Sequence, residues 1–411
     1  MQILKRLIIV LPVFFPLYMV KFQVFGVPFN ATEAMVYVVF LFWIISVVGL
    51  GGLTVPTSRN ALKFILPVIL LVLGCLGGLY ISSQNGESTK ALGILKGWVI
   101  MPILFSFLVV VIVNSVDEKK RLLYAYFLSS IVLSGWALYQ VGTGNFTTID
   151  DRASGPFESA NYLALYIAPA VVASFVLLWQ RIEDGANHAS NNIPFKILTF
   201  VVCSLALIFS RSYGGILGVF SALFLYAIYE VFFSDLKKRY GSFLKKITIL
   251  IVIILAAFTS VISQVGTVKF KDFLAFDRQS SSSVRVQVWT VAGQAIKESP
   301  FLGVGLGGFE GFYEKNAVDI LGTEPYEKTM LHPHNLILSS WLNAGILGLI
   351  SICWLSVSVV LSFRKKDLSE KRMALVFISM FIAILVHGIF DQPFWKNDLA
   401  LIWWMIVASV V

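Results

Sequence analysis

The run from Leu336 to Phe363 limits what this chain can fold into more than any other feature. It is almost continuously apolar, and an α-helix crosses a bilayer in about 20 such residues. Runs of the same kind recur and give twelve candidate helices: Leu7–Phe25, Glu33–Leu50, Phe64–Ser82, Ala91–Val113, Leu122–Val141, Tyr162–Trp179, Phe195–Phe209, Tyr213–Phe233, Ile247–Ser263, Leu336–Phe363, Met373–Phe390 and Leu399–Val411. The seventh and twelfth are the shortest, and only Ser210-Arg211-Ser212 separates the seventh from the eighth. Charged residues are 13% of the 411 and hydrophobic ones 57%, whereas soluble domains are about a quarter charged. The fold class is therefore an all-α polytopic membrane protein, the helix being a structure that satisfies its own backbone in lipid.

Basic clusters fix the expected orientation, because Lys and Arg flanking spans stay in the cytoplasm. Lys5-Arg6, Arg59 with Lys63, Lys119-Lys120-Arg121, Lys237-Lys238-Arg239 with Lys245-Lys246, and Arg364-Lys365-Lys366 with Lys371-Arg372 all fall in alternate loops. Both termini are then cytoplasmic, and the net charge of +9 is largely topological. Short clusters scattered over separate loops exclude a nucleic-acid interface. Cys75, Cys203 and Cys353 sit inside predicted spans without pairing spacing, as small apolar fillers. The first apolar stretch runs on without a small-residue cleavage site and reads as a retained span.

This topology divides the chain into helices one to five (1–141), helices six to nine with a first outer loop (142–263), a large outer loop (264–333) and helices ten to twelve (334–411). A loop of the third segment's length is usually functional. Within it, Ser283–Glu298 places Val284, Val288, Val291 and Ala295 on one stripe before Pro300, which predicts an amphipathic helix lying on the membrane surface. Gly303-Val304-Gly305-Leu306-Gly307-Gly308 matches a dinucleotide fingerprint by letter, but it follows a helix and lacks a βαβ unit, so a flexible turn is expected. No internal repeat of the transporter kind is present. Polar residues gather instead at the outer boundary: Arg152, Asn161, Arg211, Arg278, Arg285, His332, His334, His387 and Asp391.

Their types suit transfer chemistry on a membrane-borne donor. Outside the cytoplasm there is no pool of nucleotide sugars, so a glycan-transferring enzyme there needs a donor such as a lipid diphosphate. Arg211, Arg285 and Arg278 offer guanidinium forks matched to phosphate oxygens; the alternative is contact with lipid headgroups. His334-Asn335 opens the tenth helix, where the dipole and nearby guanidiniums favour a neutral imidazole able to act as general base; the alternative is a helix-capping histidine. His332 reads as a loop or supporting residue. Gly345 and Gly348 fall three and four turns along nearly the same face, where small residues let another helix approach. His387 and Asp391, spaced i, i+4 at the end of helix eleven, are expected to face each other, in an acceptor-side or purely structural role. Asp150-Asp151 is a weak metal-ligand set and reads as solvated loop. No GxSxG elbow supports a hydrolase. Lys96, inside helix four, requires a partner or a route to water.

His334-Asn335, nine intervening residues, Gly345, two more and Gly348 resembles the signature of the O-antigen ligase and O-antigen polymerase superfamily of bacterial membrane glycosyltransferases. Gly155–Asn161, Ser210–Gly215, Arg285 with Trp289, Pro300–Phe309 and His387–Asp398 are similar to segments of the same family, so the likeness runs from about Arg152 onward. The resemblance implies a GT-C-like enzyme of the bacterial inner membrane that uses neither nucleotide nor obligatory metal. It would move a glycan from undecaprenyl diphosphate to an acceptor on the periplasmic side. His334 would then be the base, and Arg211 and Arg285, with Arg278 a weaker candidate, would hold the diphosphate. Arg152, Asn161, His332, His387 and Asp391 would complete the substrate-binding set. The acceptor would be lipid A-core oligosaccharide in a ligase or another lipid-linked repeat in a polymerase. No extended soluble domain favours a protein acceptor. A lipid-linked oligosaccharide flippase is the non-enzymatic rival, and it predicts a charged central cavity and internal symmetry.

Overall fold

A computed structural model describes residues 2–24, 27–49, 62–148, 150–184, 192–232, 280–365 and 367–410. The ninth expected helix, Ile247–Ser263, lies outside the described residues, as do Arg278, Arg59, Lys237, Lys238, Arg239, Lys245, Lys246 and Lys366. Among the described residues, eight helical segments are long and apolar enough to cross a membrane: Gln2–Met19, Ala31–Gly49 (α2), Phe64–Gln84 within α3 (Leu62–Gln84), Ser88–Ile112, Val116–Thr143 (α6), Ala160–Gln180 within α7 (Ala160–Asp184), Tyr213–Val231 within α9 (Tyr213–Phe232), and Leu336–Leu361 (α12). The expected seventh and twelfth spans are the shorter apolar helices Ile193–Phe209 (α8) and Asn397–Val410 (α14).

The solvent these helices were built for shows in which side chains face outward. Val38, Val48 and Val132 are 65%, 76% and 61% exposed, while Ser129, Ser130 and Ser134 are buried. So much exposed apolar surface marks contact with lipid. The expected eleventh helix is α13 (Leu368–His387), capped by Asp367, whose side chain accepts from the Glu370 N–H. Almost all of α13 beyond its charged first turn is buried against α7, α9 and α14.

Two segments depart from the expected spans. The first span is Gln2–Val10 (α1), continued as a 3-10 helix over Leu11–Met19, in which Pro12 and Pro16 lack the N–H that an α-helix needs. It ends well short of Phe25: Lys21–Val24 (β1) pairs antiparallel with Val27–Asn30 (β2), with Phe22 opposite Phe29. The fourth span is Ser88–Ile94 (α4), a π-helical turn at Leu95–Ile100, and Met101–Ile112 (α5). At the end of the bundle away from this hairpin, Lys5 pairs with Glu118 (2.5 Å), which also closes a capping box with Ser115.

The described part of the large loop holds two helices, α10 (Ser281–Glu298) and α11 (Phe309–Leu321). The expected stripe on α10 packs against protein. Val288, Val291 and Ala295 are fully buried with Phe309 and Tyr313 of α11 and Leu342 of α12, so protein covers the apolar face. Nor is the glycine-rich turn loose. The N–H groups of Val304 and Gly305 donate to the Leu342 carbonyl, Leu306 N–H donates to Gly78, and Gly307 N–H donates to the Asn343 side chain.

That docking explains Gly345, whose φ of 62° and ψ of −162° kink α12. A Cβ there would lie 2.1 Å from the Phe301 carbonyl oxygen, which accepts the Ile346 N–H. Gly345 therefore admits a crossing backbone rather than a neighbouring helix, as the sequence had suggested. The expected close helix approach does occur at Gly348, where Gly74 and Gly78 of α3 press on Ala344, Gly348 and Asn343, with no room for a Cβ on Gly74 or Gly78.

Candidate functional site

Four loops meet at the end of the bundle that bears the hairpin's neighbours, and backbone hydrogen bonds lock them together. The α8–α9 turn presents Arg211, and residues 150–155 lie across it: Ala153 N–H donates to the Phe209 carbonyl and Arg152 Nε to the Ser210 carbonyl (2.7 Å). Arg152 is further held by Asn161, whose Oδ1 accepts from Nη2 at 2.8 Å, and by Asp150 at 3.3 Å. Gln140, which sequence reasoning passed over, braces this loop by accepting the Ser154 and Gly155 N–H groups and donating to the Gly155 carbonyl. Asp150 thus serves Arg152.

His334 stands on the opposite wall. Asn335 caps α12 by accepting the Ile337 and Leu338 N–H groups, and its amide donates to the Ile389 carbonyl. Leu336 N–H donates to the Gly388 carbonyl, so the turn after α13 is tied to the start of α12. From α10, Trp289 Nε1 donates to the Pro333 carbonyl and Arg285 Nε to the Phe390 carbonyl. In consequence Asp391 Oδ1 lies 3.2 Å from His334 Nδ1.

This pairing corrects an expectation. Helix α13 ends at His387, so Asp391 lies beyond the last helical turn and the i, i+4 rule does not apply to it. His387 is buried and packs against Gly214 and Gly215 of α9, neither of which has room for a Cβ. Burial by itself raises the Asp391 carboxyl, but the hydrogen bond from His334, with the imidazoles of His334, His387 and His332 close by, outweighs it and holds the group below the ordinary carboxylate range. An ionised Asp391 makes Nδ1 the protonated ring nitrogen and leaves the Nε2 lone pair facing away from it. His332 stacks edge-on against His334, with ring centroids 4.3 Å apart, and its Nε2 meets the Tyr162 hydroxyl at 3.0 Å. Burial and the neighbouring His334 push it down to about 3, so it stays neutral.

The guanidiniums share one field. Burial lowers Arg152, Asp150 opposes that shift, and the charges of Arg211 and Arg285 lower it again. Burial lowers Arg285 as well, with Asp391 opposing. Three like charges gathered in a partly buried place are most stable with an anion among them. Backbone strain marks the same neighbourhood. Among the described residues the non-glycine positive φ values are at Asp151 (49°), Arg211 (48°) and His334 (47°). Such conformations cost about 1–3 kcal/mol each and persist where surrounding structure imposes them.

The structure thus brings together Arg152, Asn161, Arg211, Arg285, His332, His334 and Asp391, while His387 supports the α9 turn from behind. Tyr162 and Lys396 are additions. Lys396 Nζ sits 3.3 Å from the centroid of the Tyr162 ring. Only its charge, isolated in Phe394-Trp395-Lys396 beside an apolar helix, signalled it in the sequence.

Residues 198–353 match the family model described as O-antigen ligase. Over that region the chain is similar to the O-antigen ligase family. The match takes in Arg211, Arg285, His334 and Gly345 but not 155–161 or 387–398. An O-antigen ligase of Salmonella typhimurium is 33% identical over 125 residues, which is 28% of this chain and 30% of that protein. A Rickettsia conorii protein named as a polysaccharide ligase is 30% identical over 131 residues, 31% of this chain and 29% of its own length. The chain's matches thus span under a third of either relative.

Proposed function

We propose that the chain is a membrane glycosyltransferase that moves a glycan from an undecaprenyl diphosphate carrier to a lipid A-core or other glycan acceptor on the extracytoplasmic side. The observation that carries this reading is the gathering of Arg152, Arg211 and Arg285 beside a histidine whose Nδ1 is held by a carboxylate. The acceptor hydroxyl oxygen attacks the anomeric carbon while the bond from that carbon to the diphosphate oxygen breaks. The electron pair leaves with the diphosphate, whose growing charge Arg211 and Arg285 offset; one such donor contributes about 3 kcal/mol. His334 Nε2 takes the hydroxyl proton, a contribution of about 10²- to 10⁴-fold, and Asp391 stabilises the imidazolium that forms. Arg152 acts mainly by positioning, because Ser210, Asn161 and Asp150 already occupy three of its five N–H donors.

The test is reconstitution of the purified chain with a lipid-diphosphate-linked glycan and a lipid A-core acceptor, with products sized on gels. One-step transfer to the core is the expected result. A ladder of repeats growing on the carrier would make the chain a polymerase, and no transfer to any glycan acceptor would refute the enzyme reading. Arg285→Ala and Arg211→Ala should weaken donor binding; normal affinity and turnover in both would refute the diphosphate assignment.

A further inference from the structure

A cavity of about 590 Å³ lies beside this site, walled by the hairpin, the start of α2, the π-helical turn, residues 156–158 and the start of α14. None of the three gathered arginines lines it; its cations are Lys21, Lys96 and Lys396, facing Glu33 and Glu158. Two structural irregularities build it. The π-helical turn, a feature frequent at functional sites, carries Lys96, which pairs with the buried Glu33 at 3.1 Å and lies over the Phe29 ring at 3.7 Å. Asn397 then ties α14 to the same turn by accepting from Trp98 Nε1 (2.8 Å) and donating to the Gly97 carbonyl. An ion pair held inside a membrane-spanning segment and open to a cavity marks a substrate path more often than a structural clamp.

The charges do not balance. Lys96 already has Glu33, whereas Lys396 has no carboxylate within ion-pair distance among the described residues and rests on the rings of Tyr162, Tyr18 and Phe157. A cation on aromatic faces at a cavity wall is placed to receive an anion, and the rings offer faces on which sugars stack. Lys396 also connects the cavity to the chemistry: its partner Tyr162 meets His332, which stacks on His334.

Resting on the transferase reading, we propose that this cavity is the acceptor-saccharide subsite, and that Lys396, helped by Lys21, recognises a phosphate or carboxylate group on the acceptor glycan. The test is equilibrium binding, without turnover, of a lipid-free phosphorylated core oligosaccharide and the same oligosaccharide after dephosphorylation to the purified full chain. The wild type should bind the phosphorylated probe at least tenfold more tightly. Lys396→Gln should abolish that preference, Lys21→Glu should reduce it, and Arg285→Ala should keep it. Equal binding of both probes, a preference unchanged in both lysine variants, or a preference lost in Arg285→Ala would overturn the proposal. Lys21 is on an exposed strand, so its variant reads the subsite even if Lys396→Gln fails to fold. A chain that shows the preference yet transfers nothing refutes the transferase reading and leaves the subsite standing; transfer without the preference does the reverse.

Discussion

Replacing Gly345 by alanine perturbs the one position where the fold demands glycine most strictly. At φ 62° and ψ −162° the backbone lies in a region essentially open only to glycine, and forcing an L-residue there costs about 1–3 kcal/mol. The new Cβ would stand 2.1 Å from the Phe301 oxygen and 2.9 Å from Leu302 Cα. The carbonyl must retreat by about 1 Å, giving up its bond from Ile346 N–H at about 1 kcal/mol, with overpacking adding about 1–3 more. The sum is about 3–7 kcal/mol, a fall of about 4–8 °C in melting temperature for a chain of this size. Because Phe301 belongs to the turn that also bonds Leu342 and Asn343, the His334-bearing start of α12 should shift, and transfer should fall with stability. The control is Gly293→Ala on α10, where nothing lies within 4 Å of the added Cβ and helix propensity favours alanine by about 0.5–1 kcal/mol. Thermal unfolding of both variants in detergent decides it. An unchanged Gly345→Ala, or an equal loss in Gly293→Ala, would refute the backbone-crossing account.

Three further outcomes follow from the same geometry. Asp391→Asn can present an amide N–H to His334 Nδ1 and so invert the tautomer; transfer should fall by about 10²-fold or more with donor binding retained, and a full-rate variant would remove Asp391 from the mechanism. His332 is held neutral down to about 3 against an ordinary 6.5, so the unfolded chain takes up a proton that the fold refuses, and stability should decline as pH falls from about 6.5 toward 3. Melting temperatures between pH 7.5 and 5 should slope less in His332→Gln, and identical slopes would contradict the assignment. Lys96→Met alone strands the buried Glu33 and should cost about 3 kcal/mol, whereas Lys96→Met with Glu33→Gln should recover most of it; a double variant as unstable as the single one would show that the pair is not coupled.

The spans were legible because twenty-residue apolar runs have few other uses, and the long segments lie close to where hydropathy put them except the first, which the hairpin cuts short. The hairpin was not, since its period-2 pattern at Lys21–Val24 is four residues long and follows directly on an apolar run. Helix α11 was missed for a similar reason: Phe309, Tyr313 and Ala317 make a stripe too short to stand out from loop, and it acquires meaning only against Val288 and Val291 of α10. Individual candidate residues could be singled out by type, as charged or titratable groups at an apolar boundary. Their partners could not, because pairing depends on tertiary contact. Spacing joined Asp391 to His387, but the end of α13 at His387 and the bond from Leu336 to Gly388 deliver it to His334. Likewise the signature glycine could be recognised by letter, while its reason, the Phe301 carbonyl, lies 44 positions away in the chain.

In the proposed reaction His334 takes the acceptor proton beside a diphosphate held by guanidiniums. A single-turnover measurement tests it most directly: the chain is preloaded with lipid-linked glycan, acceptor is added, and the product is timed for wild type and His334→Ala. Donor loading should be equal in both, with a transfer rate at least about 10²-fold lower in the variant. Equal loading with an unchanged rate would contradict it.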